Sequence, residues 1–188
     1  MRCVFNYLLL FFLVGFAGCG NTSPEGDRNI ETVTAADLKE LVAQKEYSLI
    51  YFWTTWCGPC RKTLNNTLPE LSKLIDKEKV QILLVAVSKD EDRISKTLEA
   101  RDLNAQSLRL KFFGPDVFVN HKLALKNTLE ELFPEENVWK NSVPVFVLAD
   151  RDAKVIQPDL PSKLEKLKHL LQTESKRRTG EILLSGEF

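Results

Sequence analysis

The chain has 188 residues, 44% of them hydrophobic, which is enough to bury one ordinary core and makes a single domain the default. Lys plus Arg and Asp plus Glu both total 26, so no basic or acidic excess points to nucleic acid or an anionic surface as the main partner. No internal repeat or low-complexity block divides the sequence.

At the N-terminus Arg2 supplies a short positive region, and Val4 to Phe16 is nearly all apolar apart from Asn6. Ala17 and Gly18 then lead to Cys19. This is the layout of a secretory signal, and its apolar part falls short of the ~20 residues needed to span a bilayer. An uncleaved anchor is the other reading of the same run. The string Phe16-Ala17-Gly18-Cys19 resembles the lipobox of bacterial lipoproteins, with Phe16 in place of the usual aliphatic residue. The resemblance implies that residues 1–18 are removed as a signal peptide and that Cys19 is lipidated. Residues 19–29 then form the lipidated cysteine and a polar, flexible tether. Cys3 would leave with the signal, so only Cys57 and Cys60 would remain as thiols in the mature protein. No structural disulfide framework is then available. No metal site is expected either, because Cys57 and Cys60 lack a second CxxC or paired histidines. His121 and His169 are isolated and read as ordinary surface or helix residues.

Further along, Ile30 to Val33 fits a short strand. Thr34 reads as an N-cap with Asp37 as its capping-box partner, ahead of Leu38, Leu41 and Val42 at helical spacing. Tyr47 to Trp53 is a hydrophobic run of strand length, as expected of a central strand covered on both faces. After Cys60 the apolar positions Leu64, Leu68, Leu71, Leu74 and Ile75 mark a helix. Pro69 implies a kink or break in it, and Asn65-Asn66-Thr67 a local irregularity. Val80 to Val87 is a strand that is apolar after Gln81, and Asp90 to Leu103 a charged helix. Val143 to Leu148 is another strand, followed by a turn at Asp150 to Ala153 into Lys154-Val155-Ile156, a hairpin signature. Leu160 to Gln172 places Leu164, Leu167, Leu170 and Leu171 on one helical stripe, and 173–188 is a tail. Strands alternating with helices indicate an α/β sheet with parallel crossovers that ends in an antiparallel hairpin.

The chemistry lies at Trp56-Cys57-Gly58-Pro59-Cys60, directly after the Tyr47 to Trp53 strand and before a helix. Two cysteines at this spacing close a small disulfide ring or leave two thiols. A cysteine at a helix start gains from unpaired N–H groups and the helix dipole, which favour the nucleophilic thiolate. A strand–CxxC–helix order reads as a redox motif. Pro59 is tolerated early in the helix, where its missing N–H has no intrahelical partner.

Phe52 to Cys60, the Ser142-Val143-Pro144 string at the start of a strand, and the hairpin followed by a final helix together resemble the thioredoxin superfamily. The resemblance implies a thioredoxin-like α/β fold over 30–172, a central mixed sheet flanked by helices. It also implies an extra strand, Leu108 to Phe113, and helix, Val117 to Phe133, separated by Gly114-Pro115-Asp116, within an insertion at about 106–141 before the cis-proline strand. That insertion and the export signal are similar to exported thiol–disulfide oxidoreductases of the TlpA/ResA type. A family-neutral insertion that only thickens one face is the other reading. In the family Cys57 would be the exposed nucleophile and Cys60 the shielded resolving cysteine. Trp56, Gly58 and Pro59 would complete the active-site loop. Val143 and Pro144, joined by a cis bond, would face the CxxC and bind substrate backbone as an added strand. No cofactor is expected beyond a redox-active Cys57–Cys60 disulfide. The expected partners are disulfides of exported proteins, apocytochromes c among them, with a membrane thiol carrier as electron donor. The protein is expected to be a monomer in the cell envelope, held at a membrane by the lipid on Cys19.

Two positions depart from the family pattern. A buried carboxylate six residues before the first cysteine is replaced by Tyr51, a poor base with a reference pKa of ~10. A glutamate three residues after the second cysteine, found in related exported reductases, is replaced by Thr63. Glu70 reads as an ordinary solvated helix residue. The direction of exchange stays open between reductase and disulfide oxidase or isomerase. A non-enzymatic binding module or metallochaperone is the reading from a different class, although copper-delivering relatives use CxxxC. Peroxidase activity lacks the usual lone peroxidatic cysteine.

Overall fold

The computed structural model describes residues 30–99, 101, 103–111, 118–139 and 141–157, with His169 and Thr173. Within them the strands are β1 (Glu31–Val33), β2 (Tyr47–Trp53), β3 (Val80–Ala86), β4 (Gln106–Leu110), β5 (Val145–Asp150) and β6 (Val155–Gln157). They join in one sheet in the order β1-β4-β3-β2-β5-β6. The pairs β1–β4, β4–β3 and β3–β2 are parallel, while β5 and β6 are antiparallel additions beyond β2. This is the mixed, helix-flanked sheet expected of a thioredoxin-like fold.

All seven residues of β2 are buried, because helices cover both sides of the sheet. Tyr47, Leu49, Tyr51 and Trp53 point into one core, with Leu64, Leu68, Leu71, Ile94 and Leu98. Ile50 and Phe52 point into the other, with Leu38, Val42, Leu125, Leu129 and Leu132. The second core thus receives helices α1 (Ala35–Val42) and α5 (Phe118–Leu132). The first receives α2 (Gly58–Lys62), α3 (Leu68–Leu74) and α4 (Glu91–Glu99). Crossovers from β2 to β3 to β4 run in one direction across the sheet, and the crossover from β1 to β2 runs back. A common right-handed preference therefore puts their helices on opposite faces. Each fully buried Leu, Ile or Phe contributes roughly 1.5–3 kcal/mol, so the doubly covered β2 is the strand the fold is built around.

Local signals account for several boundaries. Thr34 caps α1: its hydroxyl accepts from the Asp37 amide at 3.3 Å, and the Asp37 carboxylate accepts from the Thr34 amide at 2.8 Å. Gln81, the one polar side chain in β3, donates to the Leu41 carbonyl at 2.6 Å and to Ser48 Oγ at 2.8 Å, its register partner on β2. The irregularity expected at Asn65-Asn66-Thr67 is a π-helical turn, Thr63–Thr67, linking α2 to α3. Pro69 sits in the first turn of α3. Proline has no N–H for a carbonyl four residues back and its ring crowds that carbonyl, which the widened preceding turn relieves.

Several boundaries differ from expectation. The charged helix ends at Glu99, not Leu103, and begins after Asp90, whose carboxylate accepts from the Arg93 amide at 3.0 Å. Leu103 leaves the helix and is buried in the first core. The strand expected at 108–113 is β4, whose first residue Gln106 pairs with Leu83. The last long strand begins at Val145 rather than Val143, since the Val143–Pro144 bond is cis and Pro144 has no N–H for a ladder. Ala153, at φ 57°, completes the turn into β6. The signal at 1–18, Cys19 and its tether lie outside the described residues, as does most of the helix expected at 160–172 and most of the 173–188 tail. His169 and Thr173 are helical, with the Thr173 hydroxyl donating to the His169 carbonyl at 2.8 Å. Among the described residues no helix is long and apolar enough to cross a membrane.

Candidate functional site

The end of β2 delivers the chain to Thr54, Thr55 and Trp56, and α2 begins one residue after Cys57. Cys57 is the N-cap of α2: its backbone is extended, and its sulfur accepts from the Cys60 amide at 3.1 Å. Cys57 and Cys60 are joined as a disulfide with their Cα atoms 5.2 Å apart. Pro59 occupies the first turn, where no intrahelical acceptor awaits its missing N–H. At Gly58 an added Cβ would meet nothing within 4 Å, so the loop is open at that point.

The expected contrast between an exposed Cys57 and a shielded Cys60 is smaller than the sequence implied. Cys57 is 6% exposed and Cys60 is fully buried. Cys57 is covered because Val143, 86 residues away, comes over the helix start from the loop before β5, with its carbonyl oxygen 3.9 Å from Cys57 Sγ. Val143 therefore lies over Cys57, and its bond to Pro144 is cis. Trp56 is 51% exposed beside the disulfide, whereas Trp53 is fully buried in the core.

Beneath the disulfide, the two positions that depart from the family pattern meet. The Tyr51 hydroxyl donates to the Cys60 carbonyl at 3.2 Å and is also hydrogen-bonded by the Thr63 side chain. The Tyr51 ring packs against Phe146 of β5 with centroids 4.3 Å apart. Burial pushes the Tyr51 phenol well above its ordinary pKa, and the Thr63 hydrogen bond offsets only part of that shift. The site under Cys60 is thus a pair of neutral hydroxyls. Glu70 is exposed on α3.

Beside the disulfide lies a cleft with a volume of about 240 Å³. It is lined by Thr54 and Trp56 from the active-site loop, by His121 and Leu125 from α5, and by Trp139 and Val143 from the segment before β5. His121, read from sequence as an ordinary residue, is partly buried there. Nothing in the sequence spacing signals this grouping, because its parts come from three separated segments. Trp53 Nε1 and Thr54 Oγ1 are buried and make no hydrogen bond among the described residues. No cluster of three or more His, Cys, Asp or Glu side chains among the described residues is arranged to hold a metal ion.

Residues 29–101 match the family model for thioredoxin. No curated protein matches the chain. Among solved structures, the chain is similar to a thiol:disulfide interchange protein from Bacteroides sp., with 19% identity, 72% of this chain and 76% of that one covered, and a TM-score of 0.50. It is also similar to a thioredoxin-related protein from Neisseria meningitidis serogroup B, with 18% identity, 71% and 87% coverage, and a TM-score of 0.48. A third likeness is a secreted Mycobacterium tuberculosis disulfide oxidoreductase homologous to E. coli DsbE, with 19% identity, 70% and 84% coverage, and a TM-score of 0.45. At such identities the likeness to the Bacteroides protein is one of fold. The family match spans β1 through α4, the part of the sheet that positions the Cys57–Cys60 disulfide, and over that stretch the chain is similar to thioredoxin.

Proposed function

We propose that the protein is a thiol–disulfide oxidoreductase acting outside the cytoplasm, tethered to a membrane through lipid on Cys19, and that it reduces disulfides of exported proteins. The observation that carries the exchange chemistry is the placement of Cys57 at the start of α2, with the Cys60 N–H donating to its sulfur. That donor and the helix dipole stabilise negative charge on Cys57 Sγ once the disulfide is reduced. The export reading rests on the apolar run and lipobox-like string at residues 4–19. The reductase reading and a membrane thiol carrier as electron donor rest on the resemblance to TlpA/ResA-type proteins.

In the proposed reaction the Cys57 thiolate attacks one sulfur of a substrate disulfide. A Cys57–substrate S–S bond forms, the substrate S–S bond breaks, and the leaving thiolate takes a proton. Cys60 then loses its proton and attacks Cys57 Sγ. This re-forms the Cys57–Cys60 disulfide and releases the second substrate sulfur as a thiolate, which is protonated. Two electrons and two protons pass to the substrate, and a dithiol donor must return them to the enzyme. The backbone of Val143 would pair with the substrate chain during the mixed-disulfide stage, a reading supported by its carbonyl oxygen 3.9 Å from Cys57 Sγ.

The test is a Cys60→Ser variant expressed in cells, which should accumulate disulfide-linked clients through Cys57, while Cys57→Ser should accumulate none. Recovery of no linked client would overturn the exchange reading. Direction is read from the reduction potential: a value near that of thioredoxin, about −270 mV, supports a reductase, and one near about −120 mV would replace it with an oxidase.

A further inference from the structure

The cleft beside the disulfide is a product of the inserted β4–α5 segment. Val87, at the end of β3, and Leu125, on α5, are each 1% exposed and line it. Trp139 forms another part of the wall, and its Nε1 donates to Asn141 Oδ1 at 2.8 Å, which fixes the indole. Trp56 and Val143 add to the wall and also border the disulfide, and Thr54, His121, Lys122, Asn141 and Ser142 supply its polar part. The accessible surface of the lining is mostly apolar, and Val143 brings it beside Cys57 Sγ.

A polypeptide joined to Cys57 Sγ has to pass over Val143 and Trp56. One residue of extended chain spans only ~3.3–3.6 Å, so a side chain next to the substrate's reacting cysteine lies at the mouth of the cleft. The volume of about 240 Å³ exceeds that of a ~150 Å³ apolar cavity able to take benzene. Two tryptophans in the wall favour an aromatic occupant, since aromatic pairs gain beyond the area they bury. We propose that this cleft is a substrate subsite that takes an aromatic side chain adjacent to the reacting cysteine of a disulfide-bonded polypeptide. This rests on the exchange reading above and assigns the insertion a role in choosing substrate.

The experiment compares kcat/KM of the full protein on two disulfide-bonded peptides that differ only in Trp or Gly beside the reacting cysteine, with oxidised glutathione as a third substrate. The wild type is expected to favour the Trp peptide at least tenfold. Trp139→Ala and, separately, Leu125→Ala are expected to bring that ratio to within about threefold of unity. The ratio compares two substrates on one folded enzyme, so a loss of active protein does not mimic the effect. Equal rates on the two peptides in the wild type, with glutathione still reduced, would overturn the subsite and leave the exchange reading standing. No turnover of any of the three would overturn both. A preference that appears only when Leu183 and Leu184 of the tail are changed to Ser, or only on dilution, would assign the cleft to the tail or to a second copy and overturn the proposal.

Discussion

The phenol of Tyr51 donates a hydrogen bond to the carbonyl oxygen of Cys60 across 3.2 Å, in a place where both residues are fully buried. The bond ties the middle strand of the sheet to the first turn of the redox helix. Thr63, one turn beyond Cys60, closes the group by bonding the same phenol. The two positions where the resemblance leads one to expect carboxylates are therefore not two separate departures. They converge on one point, and a hydroxyl pair fills it without bringing in a charge.

Removing the phenol alone is expected to be tolerated. In Tyr51→Phe the Cys60 carbonyl keeps its backbone donor, the Thr63 amide, so the loss should be about 0.5–1.5 kcal/mol by urea denaturation. A loss above about 3 kcal/mol would show that the hydroxyl pair holds more of the core than this bond.

The same residue sets a limit at high pH. Burial raises the phenol's pKa in the folded state, so the stability tied to neutral Tyr51 is fully present below the unfolded value of ~10 and is lost as pH rises beyond it. Unfolding free energies measured from pH 8 to 11 should fall more steeply above pH ~10 in the wild type than in Tyr51→Phe. Parallel curves would contradict this assignment.

With no carboxylate under Cys60, resolution of the mixed disulfide should show only thiol ionisation in its pH profile. Stopped-flow rates should rise smoothly through the thiol range. Thr63→Glu places an acid in the buried site, where desolvation raises its pKa, and should add a second inflection between about pH 5 and 8. A wild-type profile that already shows this inflection would point to an acid elsewhere.

Thr54 offers a stability gain. Its hydroxyl is buried and makes no hydrogen bond among the described residues, and Val has the same branched shape. Thr54→Val should raise stability by about 0.5–2 kcal/mol, because an unsatisfied polar group no longer has to be kept from water. Destabilisation on urea titration would show that the hydroxyl has a partner.

At the start of α1, hydrogen bonds from the Thr34 amide and hydroxyl hold the Asp37 carboxyl below the usual carboxylate range. Its contribution is present above the unfolded pKa of ~3.9 and is lost as pH falls through the lower folded value. Asp37→Asn should therefore lower Tm at pH 7, with the difference from wild type closing below about pH 4. Thr34→Ala should cost about 1 kcal/mol at neutral pH.

What the sequence determined by itself was local. The hydrophobic run Tyr47 to Trp53, the capping box at Thr34 and Asp37, the break around Asn65 and Pro69 and the two-residue spacing of Cys57 and Cys60 each depend on neighbours within one or two turns of chain. They were legible for that reason, and with them the alternation of strands and helices and the CxxC pair. Helix ends such as that at Glu99 were less legible, because burial of Leu103 against a distant core decided them. The tertiary structure alone decided how far Cys57 is covered, since its cover is Val143, 86 residues away. It also decided that Tyr51 and Thr63 meet, and that α5 and Trp139 wall a cleft beside the disulfide. Spacing along a chain carries no record of which distant segments pack together, and the cleft exists only where they do.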